Sequence, residues 1–459
     1  MNVRMRQDAR QIFAEALAAA QPAAAFATCL RLDGDRLVAG GRSGLDLGGL
    51  DRVYVLGIGK AAPAMARALG ALVAPRALAG YLVAKAGQGE AVPGCQVVEA
   101  AHPVPDARSV AAVEGALRWL DSSVPPAAPV VVLVSGGSSA LFSLPAGRLT
   151  IADKAAVTEL LLRCGADIGE VNCVRKHLSA VKGGQLARRL GHRPALTLAL
   201  SDVVGDRLDI IGSGPTVADA SSFADAWQVL ERYELTLKVP DAVRHHLEAG
   251  LAGQIPETMR SDDPILANKN AVVAGNNLAA CHAAKECARR LGYRPLLVSD
   301  HITGDTAHCA AFHAVLAYDV VYAHRPVAPP VCLISGGETT VRLQGGGLGG
   351  RNMEFVLHCV RRLAACIVPA VVLSAGTDGN DGPTDAAGAL ADNATLARAQ
   401  MLGLDPGEFL SRNDSYRFFQ PLNDLVITGP TGTNVMDIRV VLIGEPVRPA
   451  AGGDPGEMP

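Results

Sequence analysis

Residues 331–355, VCLISGGETTVRLQGGGLGGRNMEF, hold a buried strand, a glycine-rich loop and the start of a helix in one run. The apolar residues 331–334 suit a strand covered on both faces, and Ser335, Gly336 and Gly337 end it where a parallel sheet delivers its loops to a ligand. Glu338 follows directly. Gly345, Gly346, Gly347, Gly349 and Gly350 let the backbone approach a ligand closely and turn its N–H groups toward an anion, and Arg351 adds a fixed positive charge. Beyond it, Val356, Val360 and Leu363 recur at helical spacing, so Asn352 is expected to cap a helix whose N-terminus favours phosphate. A mobile surface loop would share this composition, so the reading depends on what the rest of the chain does.

Elsewhere the same pattern returns. Apolar runs at 52–56, 130–134, 196–200, 271–274 and 370–373 each lead into a loop rich in Gly, Ser, Asp or Asn: GIGK at 57–60, SGGSSA at 135–140, SDVVGD at 201–206, GNN at 275–277 and SAGTDG at 374–379. Further strands are expected at 81–84, 96–99, 296–299 and 439–443, with helical segments between. The alternation predicts an α/β protein with doubly wound, mainly parallel sheet, whose strand ends gather ligand-binding loops along one edge. A chain of 459 residues exceeds one ordinary core, so two domains are expected, 1–240 and 241–459, joined through the polar, proline-punctuated stretch 235–263. The tail from Pro449 is expected to lack order.

Composition narrows the partners. Hydrophobic residues make up 49% and charged residues 19% of the chain, as in globular proteins. A net charge of −3 argues against standing attraction to nucleic acid or an anionic membrane and leaves small molecules as the expected partners. The ten cysteines include no C-x-x-C pair, so no zinc knuckle or dithiol motif can be drawn, and buried free thiols in a cytoplasmic protein are expected. Arg4, Arg6 and Arg10 before an alanine-rich run imitate a signal peptide, but Asp8 and Glu15 interrupt it, and Ile12, Phe13, Ala16 and Leu17 fit one face of an amphipathic helix. No apolar run reaches the roughly 18 residues of a membrane span.

Three chemistries can be tested against these residues. Gly57, Gly59 and Ala62 match a relaxed dinucleotide fingerprint, yet no acid for the ribose hydroxyls occurs between Asp51 and Glu90, although Lys85 would suit a 2′-phosphate. The serines of SGGSSA suggest a hydrolase, but the G-x-S-x-G elbow is absent and neither His102 nor His177 stands at a telling spacing. Phosphoryl transfer needs cations, carboxylates for Mg²⁺ and for a hydroxyl proton, and converging N–H groups. The strand ends offer Lys60, Lys182 and Arg351, then Asp202, Glu338 and Asp378, and several glycine loops, without a Walker A or protein-kinase signature. In 170–191, Val174, Leu178 and Val181 form a buried helical stripe, and Arg175, Ser179 and Lys182 a polar one that could offer cations to a cleft. Asp381 and Asp385 fit turn chemistry equally well.

Taken in order, GIGKAA at 57–62, VSGGSSAL at 134–141, NCVRKHLSAVKGGQLA at 172–187, SDVVGD, GSGPT at 212–216, GNN, SGGETTV at 335–341, GGGLGGRN at 345–352 and GTDGNDGPTDAAGA at 376–389 resemble the class II glycerate kinases, or glycerate 2-kinases, of bacteria. The resemblance spans most of the chain. It implies two α/β domains, the first Rossmann-like, with a site in the cleft between them, and ATP- and Mg²⁺-dependent phosphorylation of the D-glycerate 2-hydroxyl. Lys60 and Arg351 match family positions for phosphate and transition-state charge, with Asp202 as base or metal ligand and Glu338 as a second metal ligand. Ser135, Gly136, Gly137, Ser138, Arg175, Lys182, Asn276, Glu338, Gly347, Gly349 and Asp378 are the expected substrate and nucleotide contacts. A homodimer is compatible with the chain. Similar proteins have also carried the label hydroxypyruvate reductase, which leaves NAD(P)H-dependent reduction as the alternative, and a non-catalytic sugar-acid binding protein as a third reading.

Overall fold

The computed structural model describes residues 3–41 and 43–446, so the expectation for the tail from Pro449 lies outside the described residues. The chain forms two units. One, here the Lys60 unit, comprises Pro22–Asn276 with Gly432–Asn434; the other, the Arg351 unit, comprises the residues up to Gln21, Asn277–Thr431 and those from Val435.

In the Lys60 unit six strands form one sheet in the order Cys95–Ala100, Ala77–Lys85, Arg52–Ile58, Val130–Val134, Ala195–Leu200 and Lys269–Gly275. Every neighbouring pair is parallel. From Arg52–Ile58 the chain winds one way through the next two strands and then crosses back to Val130–Val134, so the winding reverses between these two central strands. In such sheets a crevice opens where the order reverses, outside the C-terminal ends of the strands. The loops at that point are GIGK and SGGSSA. Val130–Val134 is buried along its whole length, as its five consecutive apolar residues require. Apolar side chains of the central strands feed separate cores on the two faces of the sheet, and the helices Ile151–Arg163, Ile168–His177, Phe223–Arg232 and Asp241–Leu251 build a further core of their own.

This places the division of the chain at 276/277 rather than near 240. Lys269–Gly275 pairs with Ala195–Leu200 as an edge strand of the first sheet. The polar stretch expected to be a junction contains the helix Asp241–Leu251, which buries Val243 and Leu247. The small antiparallel sheet of Leu30–Asp33, Arg36–Ala39 and Ser43–Asp46 also escaped the pattern reading, since its four-residue strands are too short to show a period.

The Arg351 unit has a mixed sheet in the order Arg294–Ile302, Val331–Gly337, Asp437–Ile443, Ala370–Gly376, Gly388–Asp392 and Leu425–Val426. The last long strand of the chain, Asp437–Ile443, inserts antiparallel between Val331–Gly337 and Ala370–Gly376. The C-terminal ends of those two therefore share an edge, with Asp437 paired in register opposite both Gly337 and Gly376. The first helix, Val3–Ala19, buries Met5, Ile12 and Phe13 with Asn277–Arg290 against one face, while Thr306–Tyr318 and Arg351–Ala364 cover the other. The amphipathic reading of the N-terminus therefore stands, and no single helix among the described residues is long and apolar enough to cross a membrane.

Candidate functional site

At the reversal point of the Lys60 unit, backbone geometry fixes the side chains. The Lys60 N–H donates to Gly136 O at 2.9 Å, tying the two central loops together. The Ala61 N–H donates to the buried Ser135 Oγ at 3.1 Å. Gly59 has φ +130°, and a Cβ there would lie 2.2 Å from Ser135 Oγ, so the turn requires glycine. A Cβ on Gly136 would come within 2.5 Å of both Asp202 Oδ2 and Asn434 Nδ2, and one on Gly137, at φ +81°, within 2.9 Å of His102. Lys60, His102, Ser135, Gly136, Gly137, Asp202 and Asn434 thus form one cluster. Asn434 Nδ2 donates to Asp202 Oδ2 at 3.4 Å, and Asn276 Nδ2 to Asp206 Oδ2 at 2.5 Å.

The basic stripe expected over 170–191 is broken. The helix ends at His177, and Lys182 lies beyond it in a turn. Its buried amine donates to Ser138 O and Gly212 O, each at 3.0 Å, clamping SGGSSA to the GSGPT loop. Burial, with Lys154 and Arg175 nearby, holds that amine well below the ordinary lysine range. Lys176 is also buried and pairs with Asp219 at 3.1 Å.

In the Arg351 unit the opening stretch is tightly built. The strand runs through Gly337, and Gly336 has no room for a side chain because Asn277 Oδ1 would sit 1.6 Å from its Cβ. The glycine loop packs on residues 412–415: Gln344 and Gly345 N–H donate to Asn413 Oδ1, Gly347 N–H to Arg412 O, and Leu348 N–H to Asp414 Oδ1. These N–H groups bind protein oxygens, so Gly347 does not offer its own to an anion, and Gly349 serves a close approach to Ser415. Asn352 is not the cap. Gly350 stands at that position, and Asp381 accepts from Asn352 N–H at 3.1 Å and Met353 N–H at 2.8 Å, placing a resident carboxylate at the helix N-terminus.

Arg351 is compensated as thoroughly. Its Nε donates to Asp437 Oδ2 at 2.7 Å and its Nη2 to Asp437 Oδ1 at 3.0 Å, while Nη1 meets Glu338 at 2.8 Å. Burial alone would lower Arg351, but the two carboxylates reverse this and raise it further. Asp437, fully buried, would be raised by desolvation, yet Arg351, Arg439 and Asn352 hold it below its ordinary value. Arg439 is fully buried, lies 3.3 Å from Asp437 and rests 5.4 Å over the Phe355 ring. Asp378 lies in the turn just past the strand Ala370–Gly376 and accepts from the Asn380 N–H at 3.0 Å. Asp385 instead takes a hydrogen bond from Tyr416 on the surface, so the aspartates of 376–389 divide into separate tasks. Among the described residues no three His, Cys, Asp or Glu side chains form a ready metal cluster.

With this geometry in place, likeness to known proteins becomes interpretable. Residues 8–248 match a family model described as a domain of unknown function, DUF4147, and residues 331–437 match the MOFRL family. A protein of Pyrococcus horikoshii named glycerate 2-kinase is 38% identical over 440 residues, covering 96% of this chain and 97% of that one. The chain belongs to the glycerate kinase family. The crystal structure of a glycerate kinase from Thermotoga maritima matches with a TM-score of 0.82 at 34% identity, over 96% of this chain and 99% of that one. A relative from Agrobacterium vitis, 41% identical over 86% of this chain and 87% of its own length, is named provisionally as a hydroxypyruvate reductase.

For a member of the glycerate kinase family, three residues stand out that the pattern reading passed over. Asp437 opens a strand whose following residues are mostly apolar, and only a buried charge at a strand end could have flagged it. Asn434 lies in a loop of no distinctive composition. Lys154 shares the buried stripe of its helix with Val157 and Leu161, at i, i+3 and i+7, a pattern visible in the sequence.

Proposed function

We propose that this chain transfers the γ-phosphoryl group of ATP to the 2-hydroxyl of D-glycerate, giving 2-phosphoglycerate and ADP. The near-full-length match to a protein named glycerate 2-kinase carries this reading, and the cations and carboxylates found at strand ends are of the types such chemistry needs. The new bond joins the glycerate O2 to the γ-phosphorus as the bond to the β–γ bridging oxygen breaks. The hydroxyl proton passes to a carboxylate, for which Asp202 is proposed, beside the Lys60 turn. Lys60 and Arg351 would stabilise charge on the transferring group, which is the principal contribution a protein makes to such a loose transition state.

Mg²⁺ suits this donor set, because it takes one or two carboxylates together with water and phosphate oxygens rather than a full protein cage. Asp202, at a strand end beside glycine backbone and the Asn434 amide, is the proposed ligand. Glu338 would first have to leave Arg351. When bound, the ion would supply positive charge that offsets the charge of the phosphates. Arg351 is held bidentately by Asp437, so its guanidinium keeps one orientation whether or not Glu338 remains on it.

The test is a paired assay. Purified protein with D-glycerate and MgATP should yield ADP and 2-phosphoglycerate. Reduction of hydroxypyruvate by NADPH without phosphoryl transfer would reject the kinase reading, and glycerate binding with no nucleotide consumed would favour a binding protein.

A further inference from the structure

Within the Lys60 unit lies a cavity of about 730 Å³ whose lining includes Lys154, Arg175 and Lys182. Lys154 is 7% exposed, and its side-chain amine makes no hydrogen bond or ion pair with any described residue. Arg175 spends one donor, Nε, on Thr158 Oγ1 at 3.3 Å. Lys182 is committed to two carbonyl oxygens. The acid in the cavity wall, Glu159, pairs with Arg163 at 2.6 Å, and both of those side chains are mostly exposed. A buried amine and a half-buried guanidinium therefore face a cavity whose one lining acid is turned to Arg163. Leaving them so is costly unless an anion arrives.

We propose that Lys154 and Arg175, backed by Lys182, form the subsite for the carboxylate of the acceptor acid. This rests on the kinase reading above and adds the group that selects its substrate class, a small 2-hydroxy acid rather than a neutral polyol. The location fits as well: Gly137 and His102 line the cavity, and the ideal Cβ position of Gly137 is 2.9 Å from His102 and 3.4 Å from Lys60 Cγ. An acid held at Lys154 would keep its hydroxyl within the neighbourhood of the Lys60 turn. Burial, and then Arg175, push the Lys154 amine down to about 7, so an arriving carboxylate would restore its proton and binding above that pH should take up protons from solution. The other charged or titratable groups facing it are Arg175, Lys182, Glu159, Arg163 and His102.

The experiment uses the full chain, with Lys154→Met and, as a second variant, Arg175→Met, each checked for a cooperative melt. Both should raise KM for D-glycerate at least tenfold and leave KM for ATP within twofold. Calorimetry of D-glycerate without nucleotide should show binding by wild type, with buffer-dependent proton uptake, and its loss in Lys154→Met. Glycerol should be a poor acceptor for wild type, and its disadvantage should shrink in the variants. Unchanged KM for glycerate in both variants would overturn the subsite, as would a rise confined to KM for ATP, which would assign the cations to a nucleotide phosphate. If wild type bound glycerate through Lys154 but formed no 2-phosphoglycerate, the kinase reading would fail and the subsite would stand.

Discussion

The two units treat positive charge in opposite ways. In the Arg351 unit each key cation has a carboxylate: Asp437 and Glu338 hold Arg351, Asp437 also meets Arg439, and Asp381 fills the N-terminus of the helix that Arg351 begins. In the Lys60 unit Lys154 and Arg175 face a cavity whose one lining acid, Glu159, pairs with Arg163 instead. A compensated network is ordered before any ligand binds, whereas an uncompensated pair stores a preference for an anion. The first arrangement suits aiming a guanidinium at developing charge, and the second suits recognising a substrate.

The largest effect expected from breaking this contrast is on turnover. Arg351→Ala and Lys60→Ala should each lower kcat by roughly 10²–10⁴, on the scale of losing an electrostatic contact made in the transition state. Steady-state assays with saturating glycerate and MgATP check this, and a near-wild-type rate in either variant removes that residue from the mechanism. Lys154→Met should differ in kind, acting on KM for the acid.

Next comes the network's own dependence on its anion. Asp437→Asn keeps the side chain's shape but leaves Arg351 and the fully buried Arg439 without their shared charge. Breaking a buried pair in this way costs about 3–5 kcal/mol, measurable as a lower urea midpoint at unchanged slope. A loss below about 1 kcal/mol would mean that Arg351 relies on Glu338 instead.

Much of this architecture was legible in the chain, and the remainder fails for identifiable reasons. Long apolar strands ending in glycine announced themselves, because burial on both faces demands continuous hydrophobicity; 130–134 is the strand Val130–Val134 to the residue. The strand directions of the second sheet were not legible, because direction depends on the partner, and Asp437–Ile443 reaches its place from far along the sequence. Lys60, Gly136, Gly137 and Asp202 were found together since strand ends share an edge. The glycine loop was misjudged because glycine permits close approach without saying to what, and here the neighbour is residues 412–415 rather than a ligand. Lys154 was readable, as a lysine on an apolar stripe, but only the cavity shows why that stripe admits a charge.

Removing the uncompensated cation should also stabilise the ligand-free protein, and pH gives the sign. Lys154 is lowered to about 7 in the fold from about 10.4 in the unfolded chain, so between these values the unfolded state binds more protons and stability rises with pH. Below about pH 7 the full penalty applies, and above about 10.4 it is gone. Lys154→Met should therefore be more stable than wild type near pH 6, by a few kcal/mol and at most about 5, shrinking steadily toward pH 10. Denaturation of both proteins across that range checks it, and a pH-independent difference would mean the amine stays paired in solution.

The smallest test compares a serine in each unit. Ser135 accepts from the Ala61 N–H behind Lys60, and Ser374 donates to Asn352 Oδ1, whose amide in turn holds Asp437 at 2.9 Å. Either serine to alanine strands one buried partner, at about 1–2 kcal/mol of stability. Their effects on catalysis should separate. Ser374→Ala leaves Arg351 still gripped by both oxygens of Asp437, so kcat should fall less than threefold. Ser135→Ala removes a side-chain tie from the turn that sets the Lys60 backbone and leaves it to backbone bonds such as Lys60 N–H to Gly136 O at 2.9 Å and Gly59 N–H to Val83 O at 3.0 Å, and kcat should fall about tenfold. Equal losses in the two variants would show that the Lys60 turn is as redundantly held as Arg351, and that the contrast between the units lies in charge compensation alone.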